Sequence, residues 1–167
     1  MRDRQPDVVG EPWDRYARAV VEIAVDRRVL VLTPRPPGAP ASEASVAPDA
    51  SPLVADLLAA PVVILTACDP YPRVLDAATN AARTADLDAR LDAAGITHLP
   101  ALGRSPDHRE SEVSRALLGV DRATALGIAA DLEQLAVFEI DASTIACVAV
   151  ADAAVMTRCA HDAALRP

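Results

Sequence analysis

Apolar and polar positions fall into a few distinct rhythms along the chain. The most apolar run is Pro61-Val-Val-Ile-Leu-Thr-Ala-Cys-Asp-Pro70, which breaks abruptly into Thr66, Cys68, Asp69 and Pro70. So short and unbroken an apolar run reads as a strand over 61–67, covered on both faces. Asp69-Pro70-Tyr71-Pro72 then forces a turn. Val74 to Ala94 carries a helical rhythm, with Leu75, Ala78, Ala82, Ala85, Leu87 and Leu91 on one side and Asp and Arg on the other. Gly95 ends that helix as a C′ glycine. Ile96 to Leu102 reads as a strand and Gly103 to Arg109 as a polar loop. Ser111 to Leu118 fits either a short helix or an irregular edge segment. Asp121 caps a helix reaching about Glu133, with Ala125, Leu126, Ile128, Ala129 and Leu132 inward. Ala136 to Ile140 and Thr144 to Val150 pair as a hairpin across Asp141-Ala142-Ser143.

The ends of the chain follow the same logic. Residues 1–11 are polar and loose. Pro12 to Tyr16 forms one helical turn, with Trp13 and Tyr16 on one face where they cap an end of the core. Ala19–Val25 and Val29–Thr33 form a hairpin around Asp26-Arg27-Arg28; one helix from Asp14 to Val25 is the alternative. Residues 34–52 hold six prolines and read as a surface loop. A short helix follows from Pro52 to Ala60, with Ser51 as N-cap and Pro52 at the first helical position. Residues 151–167 are an Ala-rich tail of helical composition. Together these elements predict a single α/β domain over residues 12–150, with α+β as the alternative class. Its mixed β-sheet has two βαβ crossovers and hairpins at its ends.

The crossovers make a functional prediction. They run strand 61–67, helix 74–94, strand 96–102, and then strand 96–102, helix 121–133, strand 136–140. Parallel crossovers of this kind put the carboxyl ends of strands 61–67 and 96–102 on one edge. Ligands of open α/β sheets favour that edge. Thr66, Cys68 and Asp69 then face Arg104, Ser105, Asp107 and His108, with Glu110, Glu112, Ser114 and Arg115 next in the same connection.

Composition narrows the class. The 167 residues bury a core without disulfides or metal. Only four residues are aromatic, Trp13, Tyr16, Tyr71 and Phe138, so the core is built from Val, Leu, Ile and Ala. All sixteen basic residues are Arg, a bias of GC-rich bacterial coding. The chain is acidic, with net charge −8 and no cluster of cations, which argues against nucleic acid as a partner. Cys68, Cys147 and Cys159 form no CxxC pair and suit a reducing cytoplasm. No apolar segment is long enough for a signal peptide or a bilayer span, so neither a membrane nor secretion is expected.

Several blocks also carry a family resemblance. They are Leu65-Thr66-Ala67-Cys68-Asp69-Pro70, Asn80 in the following helix, and Pro100-Ala101-Leu102-Gly103-Arg104-Ser105-Pro106-Asp107. Glu112-Val113-Ser114-Arg115-Ala116 and Gln134-Leu135-Ala136-Val137-Phe138 complete the set. In this order, over about residues 13–141, they resemble the bacterial domain-of-unknown-function family 3293. Cys68 and Asp69 depart from the Trp and Asn expected at those positions. The resemblance implies a fold and a polar cluster, and no activity.

Candidate chemistry centres on that edge. Cys68 as nucleophile with His108 as base, oriented by Asp69 or Asp107, is the sharpest enzymatic reading. A buried cysteine at a strand end is the plainer one. Asp69, Asp107, Glu110 and Glu112 have no spacing of a metal loop and read as solvated carboxylates, so no metal or cofactor is expected. His98 reads as a packed strand histidine, and Cys159 with His161 as an isolated pair in the tail. Asn80 bonds the 66–69 turn and holds its shape. Arg104 and Arg115 pair with Asp69 and Glu112, as a latch or an anion pocket.

The expected function is a cytoplasmic, non-enzymatic binding or regulatory module. Its site is the polar cluster Thr66, Asp69, Asn80, Arg104, Asp107, Glu112, Ser114, Arg115 and Gln134, with an unspecified small molecule or protein as partner. The alternative is a small hydrolase or transferase using Cys68, His108 or Glu112. A third reading makes the Pro-rich loop or the tail a docking segment for another protein.

Overall fold

The structure is a computed structural model describing residues 12–36 and 51–167. Residues 1–11, most of the Pro-rich stretch and the Ser51 side chain with its expected cap lie outside the described part. Four helices and eight strands follow one another as α1 (Trp13–Tyr16), β1 (Val20–Val25), β2 (Arg28–Pro34), α2 (Ser51–Leu57), β3 (Val62–Thr66) and α3 (Ala77–Ala93). Then come β4 (His98–Arg104), β5 (Ser111–Leu118), α4 (Arg122–Asp131), β6 (Ala136–Ile140), β7 (Thr144–Ala149) and β8 (Val155–Arg166).

The strands close into one barrel in the order β1-β2-β8-β7-β6-β3-β5-β4, with β4 returning to β1. Every neighbouring pair is antiparallel. The expected α/β domain with an open mixed sheet is therefore overturned. Two segments cause the difference. Residues 111–118, expected as a short helix or edge segment, form β5, which lies between β3 and β4 and bonds to both. Residues 155–166 form β8, which bridges β7 and β2 and completes the closure. Strands β3 and β4 are thus not neighbours. Both run opposite to β5, so their carboxyl ends still lie at one end of the barrel. From β3 to β6 the chain has the split β-α-β-β-α-β order, with the β1–β2 hairpin and β7–β8 closing the far side.

Barrel closure explains the burial of β3. Val62 and Ile64 face the interior cluster with Val21, Ile23, Leu30, Leu32, Ala116, Ile140 and Ile145. Val63 and Leu65 face the outside, where Leu87 and Leu91 of α3 and Ala125, Ile128 and Ala129 of α4 cover them. A strand covered on both faces needs no polar alternation, which is why its run is continuous. Helix α2 feeds directly into β3 and adds Val54 and Leu58 to the interior. The helical stripe expected for 74–94 is narrower in fact: Leu87 and Leu91 are buried, whereas Ala78, Ala82 and Ala85 are exposed. Asp121 caps α4 through the Thr124 amide at 2.9 Å, and Gly95 takes φ 67° after α3.

Candidate functional site

The end of the barrel where β3 and β4 finish and β5 begins is a rim of three segments: residues 67–76, the hairpin 105–110, and α1. Thr66 Oγ1 donates to the Val113 carbonyl at 2.8 Å and accepts from the Cys68 amide at 2.9 Å. Asp69 then turns the chain at φ 42°, a left-handed conformation that costs an L-residue energy unless its neighbours fix it. Asn80, half-buried on α3, supplies the fixing: its Oδ1 accepts the Asp69 amide at 3.0 Å and its Nδ2 donates to Asp69 Oδ1 at 2.9 Å. The Leu75 amide donates to the same oxygen at 2.8 Å. Gln134 Nε2 donates to the Cys68 carbonyl at 2.8 Å, and the Tyr71 amide to the Glu133 carbonyl at 2.9 Å. Arg83, which the sequence pattern did not single out, spans from the Ala67 carbonyl at 2.6 Å to the Leu132 carbonyl at 2.9 Å.

The expected pairing of Arg104 and Arg115 with Asp69 and Glu112 does not occur. Arg104 is buried on the β1–β4 side and pairs with Glu22 at 2.7 Å. Arg115 grips Asp88 of α3 with two bonds of 2.5 and 2.6 Å, and donates to the Ser114 carbonyl at 2.8 Å. That grip, followed by the desolvation it works against, leaves the Asp88 carboxyl below its ordinary value. The reason is strand alternation: Arg115 faces outward with Val113 and Leu117, while Glu112 and the buried Ser114 belong to the inward set with Ala116. Side chains on opposite faces of one strand cannot meet.

Cys68 and His108 are apart as well. Cys68 is buried, with Thr84 Oγ1 at 3.8 Å and the Val113 carbonyl at 3.7 Å as its polar neighbours. His108 sits at φ 59° in the exposed 105–110 hairpin. Asp107 shapes that hairpin, accepting from Ser105 Oγ at 2.7 Å, and the Ser105 hydroxyl and Arg109 amide hold its carboxyl below the usual range. No group of three His, Cys, Asp or Glu side chains disposed to hold a metal ion exists among the described residues.

A recess of about 560 Å³ opens between the 69–74 loop and the 105–110 hairpin, above α1. Asp69, Glu112 and Gln134 line it together with Tyr16 and Tyr71. Its three bordering arginines are each engaged: Arg15 with Glu110 at 3.3 Å, Arg73 with Glu133 at 2.7 Å and Arg109 with Asp107 at 3.3 Å. Among the described residues, neither Asp69 nor Glu112 has a basic side chain in salt-bridge reach. Burial among the rim side chains, and next the charge of Asp69, push the Glu112 carboxyl up, with Arg15 opposing. Glu112 is still reached by solvent along the recess, so this shift reflects crowded walls rather than removal from water. Burial and then Glu112 raise the Tyr16 phenol in turn.

Aromatic content marks the same place. Trp13 and Tyr16 pack with ring centroids 5.9 Å apart and planes tilted by 58°, Tyr16 meets Phe138 edge-on at 5.9 Å, and Tyr71 lines the recess. Trp13, Tyr16 and Tyr71 therefore stand at this rim, while Phe138 of β6 packs against the barrel interior and meets Tyr16 from there. Sequence reasoning placed Trp13 and Tyr16 as a core cap and left Tyr71 in a turn. Their rarity was the signal available.

Comparison with known proteins adds a family. The model of the family described as Protein of unknown function (DUF3293) matches residues 65–137. This is the family that the motif blocks resemble, and the matched stretch runs from the end of β3 into β6. It contains the 66–70 and 104–115 segments and Gln134, while β1, β2, β7 and β8 lie outside it. No curated protein matches the chain, and no solved structure matches it. No helix among the described residues is long and apolar enough to cross a membrane.

Proposed function

We propose that this chain is a non-enzymatic binding module whose ligand enters the rim recess between residues 69–74 and 105–112. The carrying observation is the convergence of Tyr16, Tyr71 and two carboxylates, without basic partners among the described residues, on one recess. Its volume of about 560 Å³ falls in the range of small-molecule sites. Among the described residues, the barrel interior is lined by a continuous cluster of aliphatic side chains. A nucleophilic role for Cys68 loses its support, because Cys68 is buried and its polar neighbours are a hydroxyl and a carbonyl rather than a base. Glu112 is the anchor in this reading. Asn80, Thr66 and Gln134 are positioning residues, acting through the backbone of residues 66–71.

A thermal-shift screen against nucleotides, sugars, carboxylic acids, amino acids and amines tests the proposal. One class is expected to raise the unfolding midpoint of the native chain, with the shift reduced in Glu112→Gln and in Tyr71→Ala. Tyr71 is 54% exposed, so its removal leaves the core intact. Equal shifts in all three proteins would place the ligand elsewhere. Turnover of ester, phosphate or nucleotide substrates that Glu112→Ala abolishes would replace the binding reading with an enzymatic one.

A further inference from the structure

We propose that His161 is an acid-sensitive latch at the seam of the barrel. With one ring proton it ties β8 to the β6–β7 turn, and a second ring proton releases that tie. This goes beyond the rim reading and does not depend on it.

Strand register places the seam. β8 pairs with β7 over residues 155–160 and with β2 over 161–166, so His161 stands where the strand passes from one partner to the other. The residue opposite it on β2 is Pro34, which has no N–H to give the ladder. His161 supplies a hold of its own. Its amide donates to the Ser143 carbonyl at 3.2 Å, and its Nε2 donates to the Asp141 carbonyl at 2.9 Å. The Arg35 amide adds a bond of 2.8 Å to the Ala160 carbonyl.

In the closed barrel the ring has a place for one proton. A carbonyl acceptor needs the N–H at Nε2. The two nitrogens of an imidazole point to opposite sides of the ring, so Nδ1 is turned away from that carbonyl. It is buried with no partner among the described residues, in a side chain only 5% exposed. A proton there would make a buried charged ring with an unanswered N–H, and both are costly. Water answers that N–H once β8 lifts from the turn.

Neighbouring charges do not supply the missing acceptor. In the β6–β7 turn, the Asp141 carboxylate is taken by the Ser143 and Thr144 amides and hydroxyls, with Arg158 of β8 at 3.8 Å. Asp162, next along β8, belongs to the other face of the strand and pairs with Arg35 at 2.6 Å. β7 brings only the Cys147 thiol, pushed up to about 12 by burial and so uncharged. β2 presents Thr33 and Pro34, which carry no charge. From α1, contact with β8 runs through the Ala17 carbonyl, 3.8 Å from Cys159 Sγ, while Arg15 pairs with Glu110, Tyr16 packs on Phe138 and Asp14 is exposed.

An exposed histidine takes up its second proton near about pH 6.5. The opened chain binds that proton and the closed seam does not, so the closed state should weaken as pH falls below that value, by up to about tenfold in its equilibrium constant per pH unit. Hydrogen exchange of the backbone amides at residues 35 and 161 in the full chain, corrected for intrinsic rates, should quicken by that factor as pH is lowered from about 8 to about 5. Urea unfolding over the same range should show the matching loss of stability. His161→Gln, whose side-chain amide offers an N–H to the same carbonyl and does not titrate, should lack both changes, and His98→Gln should keep both. Equal pH dependence in the native chain and His161→Gln would overturn the latch. With only three histidines, the His161 ring can be followed by nitrogen NMR in the native chain, whether or not the variant folds. A ring that carries both protons at about pH 5.5, well below the ordinary histidine value, while those two amides stay protected would overturn it equally.

Discussion

The two ends of the barrel solve opposite problems with the same strands. At the end where β6 turns into β7, the Asp141, Ser143 and Thr144 side chains all have partners. The Asp141 carboxylate accepts the Ser143 and Thr144 amides at 2.8 and 2.7 Å and both of their hydroxyls at 3.0 and 2.9 Å. His161 of β8 closes over it: its amide donates to the Ser143 carbonyl at 3.2 Å, and its Nε2 meets the Asp141 carbonyl at 2.9 Å. A carbonyl only accepts, so Nε2 donates here, and the buried Nδ1 has no partner among the described residues. Beneath the turn, Ile140 and Ile145 join the aliphatic interior. At the rim, Asp69 and Glu112 keep carboxylate oxygens without donors among the described residues, and the Trp13 indole N–H is buried without a partner. Buried polar groups are ordinarily satisfied. The β6–β7 end ties up its carboxylate and leaves over one buried nitrogen, His161 Nδ1, whereas the rim leaves over the Trp13 indole and two carboxylates.

That contrast can be broken by mutation. The largest effect belongs to the β6–β7 end. Ile140 is fully buried, and Ile140→Ala should cost about 2–5 kcal/mol by urea unfolding. Rim binding, measured under conditions where the variant stays folded, should be unaltered; a parallel loss of rim affinity would show that the ends are coupled.

Asp141→Ala comes next. Desolvation pushes the Asp141 carboxyl up, but the four hydrogen bonds outweigh it and bring it down to about 2. A depressed carboxyl stabilises the fold above its unfolded value, and that contribution is lost as pH falls through the folded one. The native chain should therefore lose about 1 kcal/mol between roughly pH 4 and pH 2, after allowing for solvent screening of a partly exposed group. The variant should lack that step. An unchanged acid profile would mean that the turn is not the titrating element.

Glu112→Gln is the smallest and has the opposite sign. The Glu112 carboxyl is raised, so the native state holds this proton more tightly than the unfolded chain does. Stability then falls as pH rises from the ordinary glutamate range through the raised value. The neutral variant should be more stable at pH 7 by less than about 1 kcal/mol, since Glu112 reaches solvent. A destabilised Glu112→Gln would instead place Glu112 among the groups that hold the fold together.

Thr66, Asp69 and Glu112 are expected on one edge from parallel crossovers that the barrel does not contain; they share an end because β3 and β4 both run opposite to β5. Asn80 bonds the 66–69 turn as its place in the helix suggests, but the ion pairs were not legible. Arg104 and Arg115 were assigned to the wrong carboxylates, because pairing depends on which face of a strand a side chain occupies. That face is fixed only once β5 is known to be a strand. Inward Glu112 and Ser114 and outward Arg115 make β5 polar on both faces at its first half, which erases the alternation that would have revealed it. Tyr71 and Arg15 were hidden for another reason: neither stands in a motif, and their meaning comes from the recess around them.

By itself, the sequence determined what is local. It specified the doubly covered run of β3, the Asp121 cap, the turn at Gly95, and the hairpins of β1 with β2 and β6 with β7. These depend on the preferences of residues a few positions apart. Tertiary structure alone decided that the sheet closes. The closing ladders join β1 to β4 and β2 to β8, pairing Val20 with Arg104 and Val29 with Arg166. Hydrogen bonds between such distant segments leave no periodicity in either one. The Ala-rich end of the chain has the composition of a helix, yet two strands with open edges await it. Pairing with both satisfies more backbone than a lone helix would, and local propensity yields to that gain.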